Sequence, residues 1–190
     1  KVIMPEIPDS ILPTSRHFEE MLDVIGSKNI TAEYSRTGTE IKLDSGAVLR
    51  IIAPVHSDYS SLNNYSIACR LVHGNRSFLF TGDIERAAEN DIVNSAEYLK
   101  SDVLKVAHHG STSSSTPAFL EAVMPEYAVI EVGEGNSYGH PKLEVVRRLN
   151  SLGAQILTTM ECGNIVFVSD GEQLTIHTDN GITDRTEEAA

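Results

Sequence analysis

Asp102-Val103-Leu104-Lys105-Val106-Ala107-His108-His109-Gly110-Ser111 is the stretch on which the reading of this chain turns. Residues 103–107 are short, largely apolar and rich in β-branched side chains, which predicts a buried strand. That strand ends on two adjacent imidazoles, followed by Gly110 and a Ser/Thr-rich segment over 111–116. Neighbouring imidazoles at a strand mouth point in different directions, so one can bind a metal while the other meets a substrate or leaving group. A solvated His pair at a loop entry explains the same residues equally well. The 111–116 segment is expected to be a flexible loop.

Downstream of this stretch, strand and helix alternate. Residues 117–124 predict a short helix, 127–132 a strand, and 141–152 a helix with Pro141 at its first position and Gly153 at its end. Strands over 155–158, 165–169 and 174–177 follow, the last two joined across Asp170-Gly171. Upstream the pattern is different. Pro5, Pro8 and Pro13 make an extended loop, and Phe18, Met21, Leu22 and Ile25 mark an amphipathic helix over 15–25 stopped by Gly26. Ile41 to Ile52 predicts a hairpin ended by Pro54, and 66–72 with 77–81 a second hairpin. Residues 84–94 read as a helix. Hairpins followed by alternating strands and helices imply an α/β sandwich, sheet on sheet with helices outside. One domain over 1–177 and a flexible acidic tail over 178–190 complete the organisation.

The chain has 190 residues, 41% hydrophobic and 22% charged, a globular balance that excludes a disordered or fibrous protein. Its 27 acidic and 15 basic residues give a net charge of −12, the wrong sign for a protein that holds nucleic acid on a basic face. An enzyme acting on nucleic acid through a metal stays open, because the metal supplies local positive charge. No apolar run reaches the roughly 18 residues of a membrane span. Cys69 and Cys162 match no ligand or redox spacing.

Two further segments carry chemistry-bearing residues at strand ends. Thr81-Gly82-Asp83 follows the apolar Phe78-Leu79-Phe80, and a carboxylate there is placed to hold a cation, although capping of the next helix is the plainer role. Tyr138-Gly139-His140-Pro141 puts His140 at the expected N-terminal edge of a helix, where the dipole discourages protonation and leaves the ring free to ligate. Capping is again the alternative. Asp83, His109 and His140 together resemble a mixed nitrogen and oxygen site for zinc or manganese. His17, His56, His73 and His177 are expected to be solvated.

Four stretches, Asn63-Asn64-Tyr65-Ser66, residues 78–83, residues 102–111 and Asn136-Ser137-Tyr138-Gly139-His140-Pro141, resemble in order and spacing the metallo-β-lactamase domain of ComEC-type competence proteins. The likeness continues more weakly from residue 1 to about 176. It implies an αββα sandwich with a two-metal site, zinc or alternatively manganese, at one edge of the sheets. Asp83 would be the bridging carboxylate, His140 the last metal-binding His, and His109 a neighbour of the substrate phosphate or leaving group. His108 would structure the turn, and Asn64 would orient water or substrate. The family's His-x-His-x-Asp-His signature is absent, and Lys1–Pro13 resembles the segment that follows it, so the fold is expected to be N-terminally incomplete. Lys142 and Met160 stand where relatives often carry a His and an acidic residue.

The resemblance implies a metal-dependent phosphodiesterase or nuclease in the complete protein. Its substrate would be a DNA strand degraded during uptake, or another phosphodiester. A membrane channel in the same or a partner polypeptide would place it on the extracytoplasmic face of the bacterial membrane; otherwise it would be cytoplasmic or secreted. The acidic charge argues against a stable nucleic-acid complex. A non-catalytic scaffold or binding module of the same fold is the alternative, as is a hydrolase of a lactam, thioester or phosphorylcholine ester.

Overall fold

The computed structural model describes residues 1–95 and 97–181. In chain order the elements are β1 (Val2–Met4), α1 (Arg16–Ser27), β2 (Ala32–Tyr34), β3 (Glu40–Lys42), β4 (Val48–Ile51), β5 (Cys69–His73), β6 (Arg76–Phe80), α2 (Arg86–Asn94), β7 (Val103–Lys105), α3 (Pro117–Val123), β8 (Tyr127–Ile130), α4 (Leu143–Ser151), β9 (Gln155–Thr158), α5 (Thr159–Cys162), β10 (Ile165–Ser169) and β11 (Leu174–Thr178). Seven strands form one mixed sheet in the order β3-β4-β5-β6-β7-β8-β9. The first four pair antiparallel, and β6 through β9 pair parallel. β1 pairs parallel with β2, and β10 antiparallel with β11, as two small separate sheets.

The change of pairing at β6 follows from the connections. A two-residue turn at Gly74-Asn75 lets β5 and β6 run antiparallel, whereas a helix between strands carries the chain back to pair parallel. Three such crossovers place α2, α3 and α4 on one face. There Ala88 and Ile92, Phe119, Leu120 and Val123, and Val145 and Leu149 pack on Leu79, Leu104, Ala128 and Ile130. Alternation sends Phe78, Val103 and Tyr127 to the opposite face, where Leu157, Cys162 and Ile176 join them and Phe167 packs alongside. Phe167 stands edge-on to both Phe78 and Tyr127, at ring centroid distances of 6.3 and 5.6 Å. The sandwich expected from the sequence is therefore present, with helices on one face of the large sheet and the β10–β11 hairpin on the other.

Several local expectations are corrected. α1 runs through Gly26 to Ser27, because its start is fixed by the Ser15 hydroxyl accepting the Phe18 N–H and nothing at Gly26 forces a stop. Its apolar stripe is amphipathic as expected, yet among the described residues none of α1's side chains is buried. β2 and α5 carry too little apolar pattern to be legible beforehand. α4 begins at Leu143 with Lys142 as its cap, so Pro141 lies outside the helix. β11 extends to Thr178, and Asp179 accepts hydrogen bonds from the Asn164 backbone and side chain, so an acidic tail cannot begin at 178; residues 182–190 lie outside the described residues. No helix among the described residues is long and apolar enough to cross a membrane.

Candidate active site

The parallel strands β6, β7 and β8 end side by side, and each leads into a chemistry-bearing segment. Ligand sites in α/β sheets form at such carboxyl ends, where neighbouring connections diverge. β6 leads into Thr81-Gly82-Asp83. Gly82 has φ +54°, and a Cβ there would stand 2.8 Å from the Ser66 Cβ, so only glycine lets this turn close. The Ser66 hydroxyl in turn accepts the Asp83 N–H at 3.1 Å.

β7 leads into His108-His109-Gly110, three successive residues in the left-handed region with φ of 49°, 54° and 80°. Two non-glycine residues held there store strain that only a well-tied surround can maintain. Gly110 packs against the third segment: a Cβ on it would lie 2.8 Å from Pro141 Cβ, and its carbonyl accepts the Lys142 N–H at 2.9 Å. The double-histidine turn and the His140-Pro141 segment are thus pressed together.

His109 is held by the end of β8. Its Nδ1 lies 2.7 Å from the carbonyl oxygen of Glu131, which can only accept, so Nδ1 carries the proton. Its Nε2 faces Asp83 Oδ1 at 3.7 Å. His108 is oriented by Ser113 Oγ at 3.3 Å and Glu85 Oε1 at 3.7 Å from its Nδ1. Its ring lies 6.4 Å from that of His109 and 6.0 Å from that of His140. His140 is half-buried, and its Nδ1 is shielded from solvent with no hydrogen-bond partner among the described residues. Burial, followed by the charges of Lys142, His108 and His109, holds its pKa below the usual imidazole value. The helix edge expected to do this is absent, since α4 starts only at Leu143.

Asn64 does something else. It is buried, and its Oδ1 accepts the N–H groups of Glu85 at 2.9 Å and Ala88 at 3.4 Å. That oxygen caps the start of α2, a structural role beside the expected one. The 111–116 segment departs from expectation. Ser114, Ser115 and Thr116 are buried, and the carboxylate of the fully buried Glu89 accepts the N–H groups of Ser115 at 2.5 Å and Thr116 at 2.8 Å. Arg148 donates to the Ser115 carbonyl at 2.9 Å from the other side. The loop is clamped between α2 and α4. Of the remaining histidines, His17 and His177 are exposed as expected. His56 reaches Asp91 at 3.7 Å, and His73 Nδ1 lies 3.2 Å from Ser169 Oγ.

Residues that the sequence reading passed over complete the site. Lys105 projects from β7 with only 15% of its side chain exposed, its Nζ 3.4 Å from the Gly82 carbonyl and 3.5 Å from Glu131 Oε2. It ties the ends of β6 and β8 across β7, beneath Asp83 and His109. A lysine inside an otherwise apolar strand was the available signal. Glu85, Ser113 and Glu131 carried none, because each acts through a neighbour that only the fold supplies.

Comparison with known proteins settles the family. The model of the metallo-beta-lactamase superfamily matches residues 4–133. This chain belongs to the metallo-beta-lactamase superfamily. Its relatives include ComE operon protein 3 of Bacillus subtilis, 30% identical over 78% of this chain, competence protein ComA of Neisseria gonorrhoeae, 40% over 55%, and recombination protein 2 of Haemophilus influenzae, 31% over 63%. The chain spans 19%, 15% and 15% of their respective lengths. A solved metal-dependent hydrolase of Parabacteroides distasonis covers 82% of this chain and 74% of its own at 9% identity and a TM-score of 0.48, a likeness too remote to carry an argument.

Members of this superfamily are metallo-hydrolases, and the donor chemistry here suits a metal. A carboxylate, an imidazole oriented by a carbonyl, and a second imidazole with an orphan nitrogen are what a borderline divalent cation takes. Among the described residues, no group of three or more His, Cys, Asp or Glu side chains converges closely enough to hold an ion by itself. Asp83 and His109 form a donor pair, with His140 near His108 at the edge of the same cleft.

Proposed function

We propose that this chain is the hydrolytic domain of a competence-type protein, a metal-dependent phosphodiesterase whose substrate is a DNA strand or another phosphodiester. The observation that carries this reading is the orientation of His109: Nδ1–H to the Glu131 carbonyl, Nε2 to Asp83. A histidine turned this way by a backbone carbonyl is the arrangement metal ligands use. Asp83 and His109 are the pair that would hold the metal, zinc or manganese, with His140 as a further donor at the same edge. When bound, such metals lower the pKa of water and polarise phosphoryl oxygens.

The protein's own groups supply the rest. The Gly82 and Gly110 turns bring Asp83, His109 and His140 to one edge. Lys105 and Glu131 keep the strand ends at a fixed spacing. His108, oriented through Nδ1 by Ser113 and Glu85, has Nε2 as the ring atom that can hold or give up a proton at a leaving oxygen. With a net charge of −12 the chain would hold a strand only transiently, and a channel in the same or a partner polypeptide would deliver it.

The test is hydrolysis of bis(p-nitrophenyl) phosphate and of a single-stranded oligonucleotide by the full-length protein. Activity should vanish on chelation, return with zinc or manganese, and be lost in Asp83→Ala and His140→Ala. Undiminished cleavage by either variant would sink the site assignment. One observation favours a second reading, a non-catalytic scaffold: no three-donor group closes among the described residues. A full-length protein that folds, binds no metal and cleaves neither substrate would establish it.

A further inference from the structure

Beside the imidazoles of His109 and His140 lies a cavity of 570 Å³, bordered also by Val132, Asn136, Tyr138 and Thr159. Tyr138 is 75% exposed, an unusual setting for an aromatic ring on a loop that is otherwise tied down. Its ring runs nearly parallel to that of His140, with 10° between planes and 5.9 Å between centroids, an offset stack. One face of the phenol is therefore backed by the imidazole while much of the remaining ring is open to solvent.

Hydrogen bonds tie the backbone of the loop that carries it. Asn136 accepts the His140 N–H at 2.9 Å and donates to the carbonyls of His140 at 2.8 Å and Gly133 at 3.1 Å. The Lys142 ammonium donates to the Tyr138 carbonyl at 2.6 Å. A ring carried on a tied backbone and stacked on His140 has less freedom to lose when a ligand covers it, which is how preorganised contacts gain affinity.

We propose that Tyr138, backed by His140, is the stacking platform for the nucleobase adjacent to the scissile phosphate, and that this cavity takes one nucleotide unit. The inference rests on the phosphodiesterase reading and names a recognition subsite for it. Stacking on an aromatic ring is sequence-tolerant, because every base has a π face, and it needs no basic surface. That suits a strongly acidic chain, which lacks the field to hold a strand by its phosphates alone. Lys142, held on the Tyr138 carbonyl, sets one positive charge near the cavity, and Glu131 borders it.

The probes are thymidine monophosphate and deoxyribose phosphate, which differ only in the base, titrated against the full-length protein by calorimetry. Thymidine monophosphate should bind about tenfold tighter, a margin that stacking on one ring supplies. Tyr138→Ala should erase that margin while leaving deoxyribose phosphate binding in place. Tyr138→Trp should preserve the margin. The indole emission that this substitution adds, taken as the difference from wild type, should be quenched by the nucleotide and not by the sugar phosphate. Equal affinity for both probes, or a margin untouched by Tyr138→Ala, would overturn the subsite. Binding of neither probe would also overturn it, while phosphodiester cleavage is judged by its own assay. Tyr138 is exposed, so both variants are expected to fold.

Discussion

His109 Nδ1 donates to the carbonyl oxygen of Glu131 at 2.7 Å, and this single bond decides which imidazole nitrogen faces Asp83. The backbone just past β8 thereby turns the ring of a side chain that follows β7. The relationship explains why Glu131, a residue with no chemistry of its own, sits at the hub. Its carbonyl orients His109 and its carboxylate meets Lys105, whose ammonium reaches the Gly82 carbonyl next to Asp83.

Asn64 distinguishes a structural from a chemical role. If its oxygen serves as the cap of α2, Asn64→Asp retains an acceptor and keeps stability close to wild type, whereas Asn64→Ala loses about 1–2 kcal/mol. Metal content should be the same in all three proteins. Urea denaturation and elemental analysis check both statements, and loss of metal in Asn64→Ala with unchanged stability would show that the side chain faces the site.

Glu89 is expected to be a large contributor for one residue. Replacing it with Gln turns an acceptor into an N–H₂ group against the Ser115 or Thr116 N–H, leaving a buried donor unsatisfied at a cost of about 1–3 kcal/mol. Burial raises the Glu89 pKa despite those bonds and the nearby Arg148. The folded state therefore holds the proton to higher pH than the unfolded chain does. This group favours folding at low pH, and its contribution is lost as pH rises through the folded value. Denaturant midpoints of the wild type and Glu89→Gln across acid pH give the sign.

The capping role of Asn64 and the clamping of the 111–116 loop were hidden for the same physical reason. The partners that fix them lie 21 to 27 residues away, on α2, and a polar loop sequence looks the same whether or not a buried carboxylate receives its N–H groups. What was legible was local. The apolar run before His108, the turn-forming Gly74-Asn75, and the strand-end placement of Asp83 and His109 follow from spacing and residue type alone. The pairing of those strand ends follows from topology, which is why Asp83 and His109 could be named separately while their 3.7 Å approach could not. Pro141 misled because a proline before an apolar stripe usually opens a helix, and here it packs on Gly110 instead.

His140 sets an opposite pH dependence. Its pKa is lowered chiefly by burial, so the unfolded chain takes up a proton before the folded one does. Stability from a neutral His140 is present above the ordinary imidazole value and declines as pH falls through about 6.5. His140→Gln, which cannot titrate, should lose less stability than the wild type on acidification. Unfolding midpoints measured at neutral and mildly acid pH test this, and equal slopes would contradict it.

The most direct test of the central claim is the metal content of the protein, determined by elemental mass spectrometry for the wild type, Asp83→Asn and His109→Ala. The account predicts near-stoichiometric zinc or manganese in the wild type and a marked fall in each variant, since both side chains contribute donors to one centre. Metal content unchanged by either substitution, or absent from a folded wild-type protein supplied with zinc, would contradict it.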